Sequence, residues 1–245
     1  MMKFCLAHMY PDLMNLYGDR GNLICLQKRL QWYGFSCDIK SIYLGDRLDF
    51  DQIDMIFMGG GSDREQGLVY EDLVEKADQL HREIEAGLPM LCICGAYQLL
   101  GAYYQSHEGQ VMQGLGFFPF HTEGRKDRLI GNILLEAEID GVITTLVGFE
   151  NHGGRTYFRD PGLQPLGQVV VGYGNNGEDK NEGMRFGNLI GTYLHGPLLP
   201  KNPLLADFFI KNMAARKGVE LNRCLDDSIE HIAHEQVRKM ILSAK

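Results

Sequence analysis

Apolar and polar positions follow two regular patterns along the first hundred residues of the chain. Short apolar runs typical of strands lie at residues 4–8, 37–44, 55–58 and 89–93. Apolar positions at the spacing of amphipathic helices lie at residues 21–33, 68–85 and 94–100. This order of elements predicts a parallel sheet with helices on both faces. Ligands bind such sheets beyond the carboxyl ends of the strands, so we expect candidate functional residues there.

The pattern changes after about residue 110, where glycines and turn residues separate short apolar segments. The clearest strands are residues 169–171 and 189–194, and helical spacing returns at residues 203–217 and 228–242. Short strands separated by turns are typical of antiparallel pairing. We therefore predict an α/β fold with a central, mostly parallel sheet flanked by helices, and with antiparallel strands in the second half.

Composition and charge exclude several classes of function. The 245 residues are 44% hydrophobic and 23% charged, as in an ordinary globular chain. The net charge of −8 and the lack of Lys/Arg runs argue against a nucleic-acid partner. No apolar stretch approaches the roughly 20 residues of a transmembrane segment, and the six cysteines show no disulfide framework. A reducing cytoplasm is the expected location.

Cys94 lies where the strand predicted at residues 89–93 runs into a helix. A cysteine is a nucleophile as its thiolate, and a sharp strand-to-helix turn exposes the sulfur at the positive end of the helix. Gly95 permits such a turn, and its N–H group is a candidate donor to an oxyanion. The alternative is a buried packing cysteine, which the preceding strand and the following glycine make less favourable.

Two further segments follow predicted strands. Residues 59–61 are three glycines, whose backbone N–H groups can approach a ligand closely. His195 ends an apolar segment and precedes a Gly-Pro pair, which places it at the edge of a site. Paired with Cys94, this histidine is a candidate general base. The alternatives are a plain glycine turn and a structural histidine.

Other patterns in the sequence lead to no functional assignment. Residues 172–177 match G-x-G-x-x-G, but no apolar-faced helix follows, so we interpret them as a turn. His231 and His234 lack the H-E-x-x-H order, which favours a solvated helix face over a metal site. No Walker-type loop occurs, so we expect no ATP site in this chain. We also expect no metal site, because the histidine pattern does not fit one. Asp12 and Asn15, in the loop after the first strand, are candidates to face the site or a partner.

Together, the C-G-x-x-Q turn at Cys94 and the late histidine resemble class I (triad) glutamine amidotransferases. Common members of that class carry His-x-Glu, in which the glutamate orients the histidine. Here the residue two positions after His195 is Pro197. This departure is similar to the cobyric-acid-synthase (CobB/CobQ-like) branch of the class. It leads to the hypothesis that an acid from a partner chain orients His195.

Longer segments resemble the glutamine-hydrolysing subunits of lipid II isoglutaminyl synthases. These segments are residues 59–66, 149–156, 173–177 and 191–203. The similarity spans roughly residues 3–215. It implies an amidotransferase domain at residues 1–218, followed by a C-terminal helical extension at residues 219–245.

The resemblance implies a glutaminase that hydrolyses L-glutamine to glutamate and ammonia. The ammonia would pass to a MurT-like, Mur-ligase-type subunit in a heterodimer. That partner would use ATP and Mg²⁺ to amidate the D-glutamate α-carboxyl of the lipid II stem peptide to D-isoglutamine, a step of peptidoglycan biosynthesis. We expect no cofactor in this chain. The lipid-linked acceptor implies a cytoplasmic location close to the membrane.

The mechanism that the resemblance implies is acyl transfer. Cys94 attacks the glutamine side-chain amide, and His195 protonates the leaving ammonia and then activates water. The oxyanion donors are the backbone N–H groups of Gly60 or Gly61 and of Gly95.

Three side chains are candidates for binding glutamine. Arg128 would hold the α-carboxylate, because arginine forms two-pronged contacts with carboxylates. Asn151 and His152 lie in a polar segment followed by two glycines and would line the pocket. A solvated surface arginine and a simple turn are the alternatives.

Three alternative functions remain open from the sequence. The chain could be the amidotransferase part of a split cobyric-acid-type synthase, a stand-alone γ-glutamyl peptidase with the same Cys–His chemistry, or a non-catalytic scaffold. A single-chain cobyric-acid-type synthase also carries an ATP-binding domain, for which 245 residues are too few. The retained Cys94 and His195 argue against a scaffold with a decayed site.

Overall fold

The fold consists of two β-sheets and the helices that flank them. The structure, a computed structural model, describes residues 2–244 apart from the side chain of Tyr17. The strands, in chain order, are β1 (Lys3–Met9), β2 (Ser36–Ile42), β3 (Met55–Met58), β4 (Met90–Ile93), β5 (Tyr103–Gln105), β6 (Val111–Gln113), β7 (Phe120–Ile139), β8 (Val142–Phe158), β9 (Gly167–Val171), β10 (Asn181–Glu182), β11 (Met184–Phe186), β12 (Leu189–Thr192) and β13 (Leu194–His195). The α-helices are α1 (Gly21–Trp32), α2 (Asp63–Glu85), α3 (Gly95–Leu99), α4 (Pro203–Arg216) and α5 (Ser228–Ser243). The predicted alternation of strands and helices in the first half is confirmed.

The first sheet is the mostly parallel sheet that the sequence predicts. Within residues 2–244 its strand order is β11-β12-β4-β3-β1-β2, and β11 is antiparallel to its neighbour whereas the other pairs are parallel. All residues of β3 and β4 are buried, as expected for apolar strands covered on both faces. Because β3 and β4 are neighbours, the segments that follow them leave the sheet side by side.

Helix α2 begins at Asp63, before the predicted start at residue 68. Ser62 and Glu65 form a capping box in which each side chain accepts from the backbone N–H of the other residue, at 3.5 and 2.7 Å. The first turn is therefore polar, and a search for apolar spacing does not detect it. This cap joins the end of the glycine loop at residues 59–61 to the helix.

The second sheet is mainly antiparallel, as predicted, but its two main strands are much longer than the short strands expected from the sequence. β7 has 20 residues, β8 has 17, and the two pair as a hairpin. The turn between β7 and β8 contains Asp140 and Gly141, whose φ angles of 51° and 75° are the left-handed conformation that tight hairpin turns need. A register shift between Gly124 and Leu129 interrupts the pairing, and Arg128 lies in the interrupted stretch.

Side chains of the first sheet alternate between two apolar clusters. On β1, Phe4 and Leu6 belong to the cluster that contains the apolar residues of α1 and α4. Ala7 and Met9 belong to the cluster that contains those of α2 and α3. Apolar side chains therefore cover both faces of the sheet, which leaves its carboxyl edge as the place for a ligand.

A buried arginine joins the C-terminal helix to the rest of the fold. Arg29 of α1 donates from Nε to Asp207 of α4 at 2.9 Å, and from Nη1 and Nη2 to Asp227 at 2.7 Å each. Asp227 immediately precedes α5. The division into residues 1–218 and 219–245 stays a prediction. In the described part of the chain, the helices lack the combination of length and apolar character needed to cross a membrane.

We predict that Arg29→Met lowers the free energy of unfolding by about 3 kcal/mol, because it leaves two largely buried carboxylates without their cation. Urea unfolding followed by circular dichroism measures this loss. The matched control is Lys3→Met, which breaks a pair with Asp38 whose side chains are 58% and 59% exposed. This control should leave the unfolding midpoint nearly unchanged, since water solvates both groups. Equal effects of the two substitutions would contradict the assigned role of Arg29.

Candidate active site

Cys94 occupies the turn between β4 and α3, as predicted. Its backbone has φ 53° and ψ −106°, a conformation that residues with a Cβ atom rarely adopt. Strain of this kind is usually found at functional sites, where the surrounding structure enforces it. The side chain of Gln66 packs against the next residue, since a Cβ at Gly95 would lie 3.0 Å from Gln66 Cδ.

His195 reaches Cys94 because the chain passes from one sheet to the other just before it. β12 belongs to the first sheet and pairs with β4, whereas β13 belongs to the second sheet and pairs with β8. The His195 side chain is fully buried, and an interaction with Cys94 is among the causes that raise its pKa. The structure therefore brings together the two residues that the sequence singles out as nucleophile and base.

Asp19 completes this group from the same chain. Its Oδ2 lies 3.1 Å from Nδ1 of His195, and both side chains are fully buried. An acid of this chain thus contacts Nδ1 of His195, where the sequence predicts one from a partner chain. The contribution of a partner chain stays a prediction. Asp12 and Asn15 of the same loop do not take this position. Asp12 is exposed, and Asn15 accepts from the N–H of Arg20.

Burial lowers the pKa of His195, but hydrogen bonds with Asp19 and Cys94 outweigh burial and raise that pKa to about 10. The imidazole is thus held in its protonated, cationic form near neutral pH. A cation in contact with a cysteine sulfur favours the thiolate, which is the nucleophilic form.

The glycine loop after β3 fits closely against this group. A Cβ on Gly60 would lie 3.2 Å from Cε1 of His195 and 3.3 Å from Cβ of Cys94. A side chain at residue 60 would therefore require Cys94 and His195 to shift, and a glycine avoids this. Gly61, the next residue, lines the adjacent cleft.

A cleft of about 680 Å³ opens beside Cys94. The residues that line it are Leu16, Gly61, Ser62, Asp63, Arg64, Gln66, Cys94, Gln98, Tyr104, His107, Arg125, Lys126, Arg128, Asn151, His152, Gly153 and Gly154. The set includes Arg128, Asn151 and His152, which the sequence proposes for glutamine. All three come from the β7–β8 hairpin, at and beside its register shift.

Arg128 and Asn151 form one unit in the wall of the cleft. Nε of Arg128 donates to Oδ1 of Asn151 at 2.7 Å, and Nη2 donates to the Asn151 carbonyl oxygen at 2.6 Å. The arginine is exposed, and Asn151 belongs to a strand and not to the turn that was the alternative. These contacts fix the guanidinium while leaving it at the surface of the cleft.

His152 is a packed wall residue. Its ring stacks on Tyr193 with 3.7 Å between centroids and 8° between planes, and its Nδ1 lies 2.7 Å from the Gly154 carbonyl oxygen. The side chain is 1% exposed, and burial lowers its pKa, which favours the neutral ring.

Gln66 lines the cleft, a position that no sequence pattern predicts. Its Nε2 donates to Oε1 of Gln98 at 3.1 Å and to the Gly61 carbonyl oxygen at 3.4 Å. Its Oε1 is buried and accepts no hydrogen bond from residues 2–244. A buried acceptor without a donor is costly, so this oxygen is suited to a donor group on a ligand in the cleft.

The glycine-rich segment at residues 172–177 and the histidines at positions 231 and 234 lie outside this cleft. Residues 172–177 form turns, and the N–H groups of Tyr173 and Gly174 donate to the carboxylate of Glu150. His234 is not on a solvated face as expected, since its ring nitrogens contact the Lys201 carbonyl oxygen and the Thr145 hydroxyl. His231 is exposed.

The chain is similar to known glutamine amidotransferases. Residues 5–203 match the CobB/CobQ-like glutamine amidotransferase domain. The chain is 43% identical, over 97% of its length and 95% of the relative, to lipid II isoglutaminyl synthase (glutamine-hydrolyzing) subunit GatD of Staphylococcus aureus. It is 40% identical, over 94% of its length and 89% of the relative, to the same subunit of Streptococcus pneumoniae.

The fold is also similar to a solved structure of low sequence identity. A glutamine amidotransferase from Thermotoga maritima superposes with a TM-score of 0.54 at 14% identity, over 99% of this chain and 92% of that one. The chain belongs to the CobB/CobQ-like glutamine amidotransferase family.

Proposed function

We propose that this protein is the glutamine-hydrolysing subunit of a lipid II isoglutaminyl synthase. The identity of 43% and 40% to two GatD subunits, over nearly the whole chain, supports this substrate assignment. The observation that carries glutamine hydrolysis is the series of Cys94, His195 and Asp19 beside a cleft. The same series argues against a non-catalytic scaffold. A scaffold would not require the buried His195–Asp19 pair or the strained backbone at Cys94.

The proposed reaction proceeds through a thioester. The Cys94 thiolate attacks the side-chain amide carbon of glutamine, and the electron pair moves to the oxygen. When the tetrahedral species collapses, the C–N bond breaks and the His195 imidazolium gives its proton to the leaving nitrogen, which departs as ammonia. His195 then takes a proton from water, whose oxygen attacks the thioester and releases glutamate. Asp19 holds the ring in place throughout.

Glutamine is proposed to bind with its α-carboxylate at Arg128, whose guanidinium is fixed by Asn151. The buried Oε1 of Gln66 is a suitable acceptor for the α-ammonium group. The oxyanion is proposed to accept hydrogen bonds from the backbone N–H groups of Gly60 or Gly61 and of Gly95. Gly95 follows Cys94 in the chain, and a Cβ on Gly60 would lie 3.3 Å from Cβ of Cys94. Gly61 lines the same cleft as Cys94.

The ammonia is proposed to serve a MurT-like, Mur-ligase-type partner in a heterodimer. That partner would bind ATP and Mg²⁺ and amidate the D-glutamate α-carboxyl of the lipid II stem peptide. The names of the two GatD relatives describe them as subunits of a glutamine-hydrolyzing lipid II synthase. We propose a cytoplasmic location near the membrane on the same basis. A split cobyric-acid-type synthase is less well supported, since these GatD subunits match almost end to end.

Cys94→Ala should reduce glutamate release from glutamine by at least about 10³-fold, because it removes the nucleophile. Glutamate would be measured enzymatically, with and without the Mur-ligase-type partner. A glutamine-like electrophile should also label the wild-type protein at Cys94, as shown by peptide mass spectrometry. The control is Cys224→Ala, which alters an exposed thiol and should keep full activity. Undiminished activity in Cys94→Ala would overturn the assignment of the nucleophile.

Arg128→Ala should raise KM for glutamine by about 10- to 100-fold with a smaller effect on kcat, because it removes a charged contact to the α-carboxylate. Arg128→Lys should restore little, since lysine cannot bond Asn151 and a carboxylate in the same plane. Arg125→Ala is the matched control, because Arg125 lines the same cleft but pairs with Glu123 at 2.8 Å. An unchanged KM in Arg128→Ala would remove this residue from the binding site.

Asp19→Asn should lower kcat by about 10³-fold and bring the pKa of His195 down, because a negative charge beside the ring is lost. Ring signals of His195 in NMR spectra would report that titration. The raised pKa of His195 increases the free energy of unfolding. This contribution is complete below about pH 6.5 and is lost as the pH rises toward about 10. Asp19→Asn should therefore flatten the change of unfolding free energy over this interval. Asp12→Asn, an exposed change in the same loop, should alter neither quantity.

A further inference from the structure

The place where the chain changes sheets lies directly before His195. Thr192 is the last residue paired with β4 of the first sheet, and Leu194 is the first residue paired with β8 of the second. Tyr193 lies between the two ladders. A buried backbone N–H group at such a point needs an acceptor outside the sheets.

Glu182 provides that acceptor. Its Oε1 accepts from the N–H of Tyr193 at 2.7 Å, and its two oxygens lie 3.1 and 3.0 Å from the Thr192 hydroxyl. The N–H of Leu194 in turn donates to Oγ1 of Thr192 at 3.1 Å. One carboxyl group from β10 thus contacts Thr192 and Tyr193 directly and Leu194 through Thr192, and these three residues lead into His195.

We propose that Glu182 is a positioning residue that sets the sheet crossing and thereby places His195 against Cys94 and Asp19. This inference rests on the proposed glutaminase function. Glu182 is fully buried and is not part of the cleft wall, and neither are Thr192 and Tyr193. A change at Glu182 should therefore alter the placement of His195 and not the binding of glutamine.

The charge state of the Glu182 carboxyl allows an uncharged side chain to replace it in a test. Burial raises the pKa of Glu182 to about 8, against the hydrogen bonds from Tyr193 and Thr192, which lower it. Glu150 nearby raises the same pKa, and His195 lowers it. The carboxyl is therefore mainly uncharged at neutral pH, so a glutamine, which also presents an acceptor oxygen, can serve Tyr193 in the same way.

The test measures the reactivity of Cys94 itself, without substrate or partner. Alkylation of Cys94 by iodoacetamide is followed by mass spectrometry between about pH 5 and 9, since its rate reports the thiolate fraction. In wild-type protein, His195 should keep Cys94 reactive at pH 6. Glu182→Ala should slow alkylation at pH 6 by at least about tenfold and move the pH profile to higher pH. Glu182→Gln should stay within about threefold of wild type, because it keeps the acceptor.

Glutaminase kinetics in the complex with the partner provide a second readout. Glu182→Ala should lower kcat by at least about 30-fold with KM within about threefold, because a displaced base slows the chemical step and not binding. The matched control is Asn188→Ala, which removes a hydrogen bond to the Gly87 carbonyl oxygen just before β12, at the other end of the same strand. This control should leave alkylation and kcat unchanged.

Thr192→Val covers the case in which Glu182→Ala does not fold. It is nearly isosteric and removes the hydroxyl between Glu182 and Leu194, so it should change alkylation in the same direction by about threefold or more. If Glu182→Ala folds and its Cys94 keeps wild-type reactivity at pH 6, the proposed role of Glu182 is overturned. If Glu182→Ala does not fold, wild-type reactivity in Thr192→Val overturns it. If wild-type Cys94 were itself unreactive at pH 6, the proposed function would fail instead.

Discussion

The contact of His195 with Cys94 and Asp19 is the constraint on which the rest of the structure depends. Its members come from three distant parts of the chain, and both Asp19 and His195 are fully buried. Removing an ion pair from water is costly unless geometry and hydrogen bonding are good. The fold must therefore bring the three chain segments together to within hydrogen-bonding distance and hold them there. The mostly parallel sheet brings the segments that follow β1 and β4 to one edge, and the chain that leaves β12 carries His195 into the second sheet beside them.

Much of the fold could be predicted from the sequence, because strands covered on both faces are continuously apolar and helices show regular spacing. The length of the β7–β8 hairpin could not. Glycines inside strands resemble turns, yet here they make room for neighbours: a Cβ on Gly148 would meet Leu194, and one on Gly154 would collide with Gln98. The reason for each glycine is a contact with a residue distant in sequence, which a local pattern does not contain.

The candidate site shows the same limit. Cys94 and His195 can be found because each follows a predicted strand and carries distinctive chemistry. Asp19 could not be found in this way, because it precedes a helix in a polar loop where an aspartate is unremarkable. The missing His-x-Glu pattern predicts an acid from a partner chain. In the folded protein the loop after β1 supplies the acid instead, since β1 lies next to β3, and the glycine loop that follows β3 adjoins His195.

The proposed function requires ammonia to leave the site without meeting bulk water. The structure separates the site into a buried acid–base side and an open substrate side, which is compatible with this requirement. The acid–base side, formed by Asp19 and His195, is buried within this chain and fixed by Glu182 through the sheet crossing. The substrate side is an open cleft whose wall includes Arg128 and other residues of the hairpin. A partner that covers the cleft would change the path of ammonia while leaving the contact of His195 with Asp19 intact. Coupling between the subunits is therefore expected to act through the cleft wall and not through the acid that orients His195.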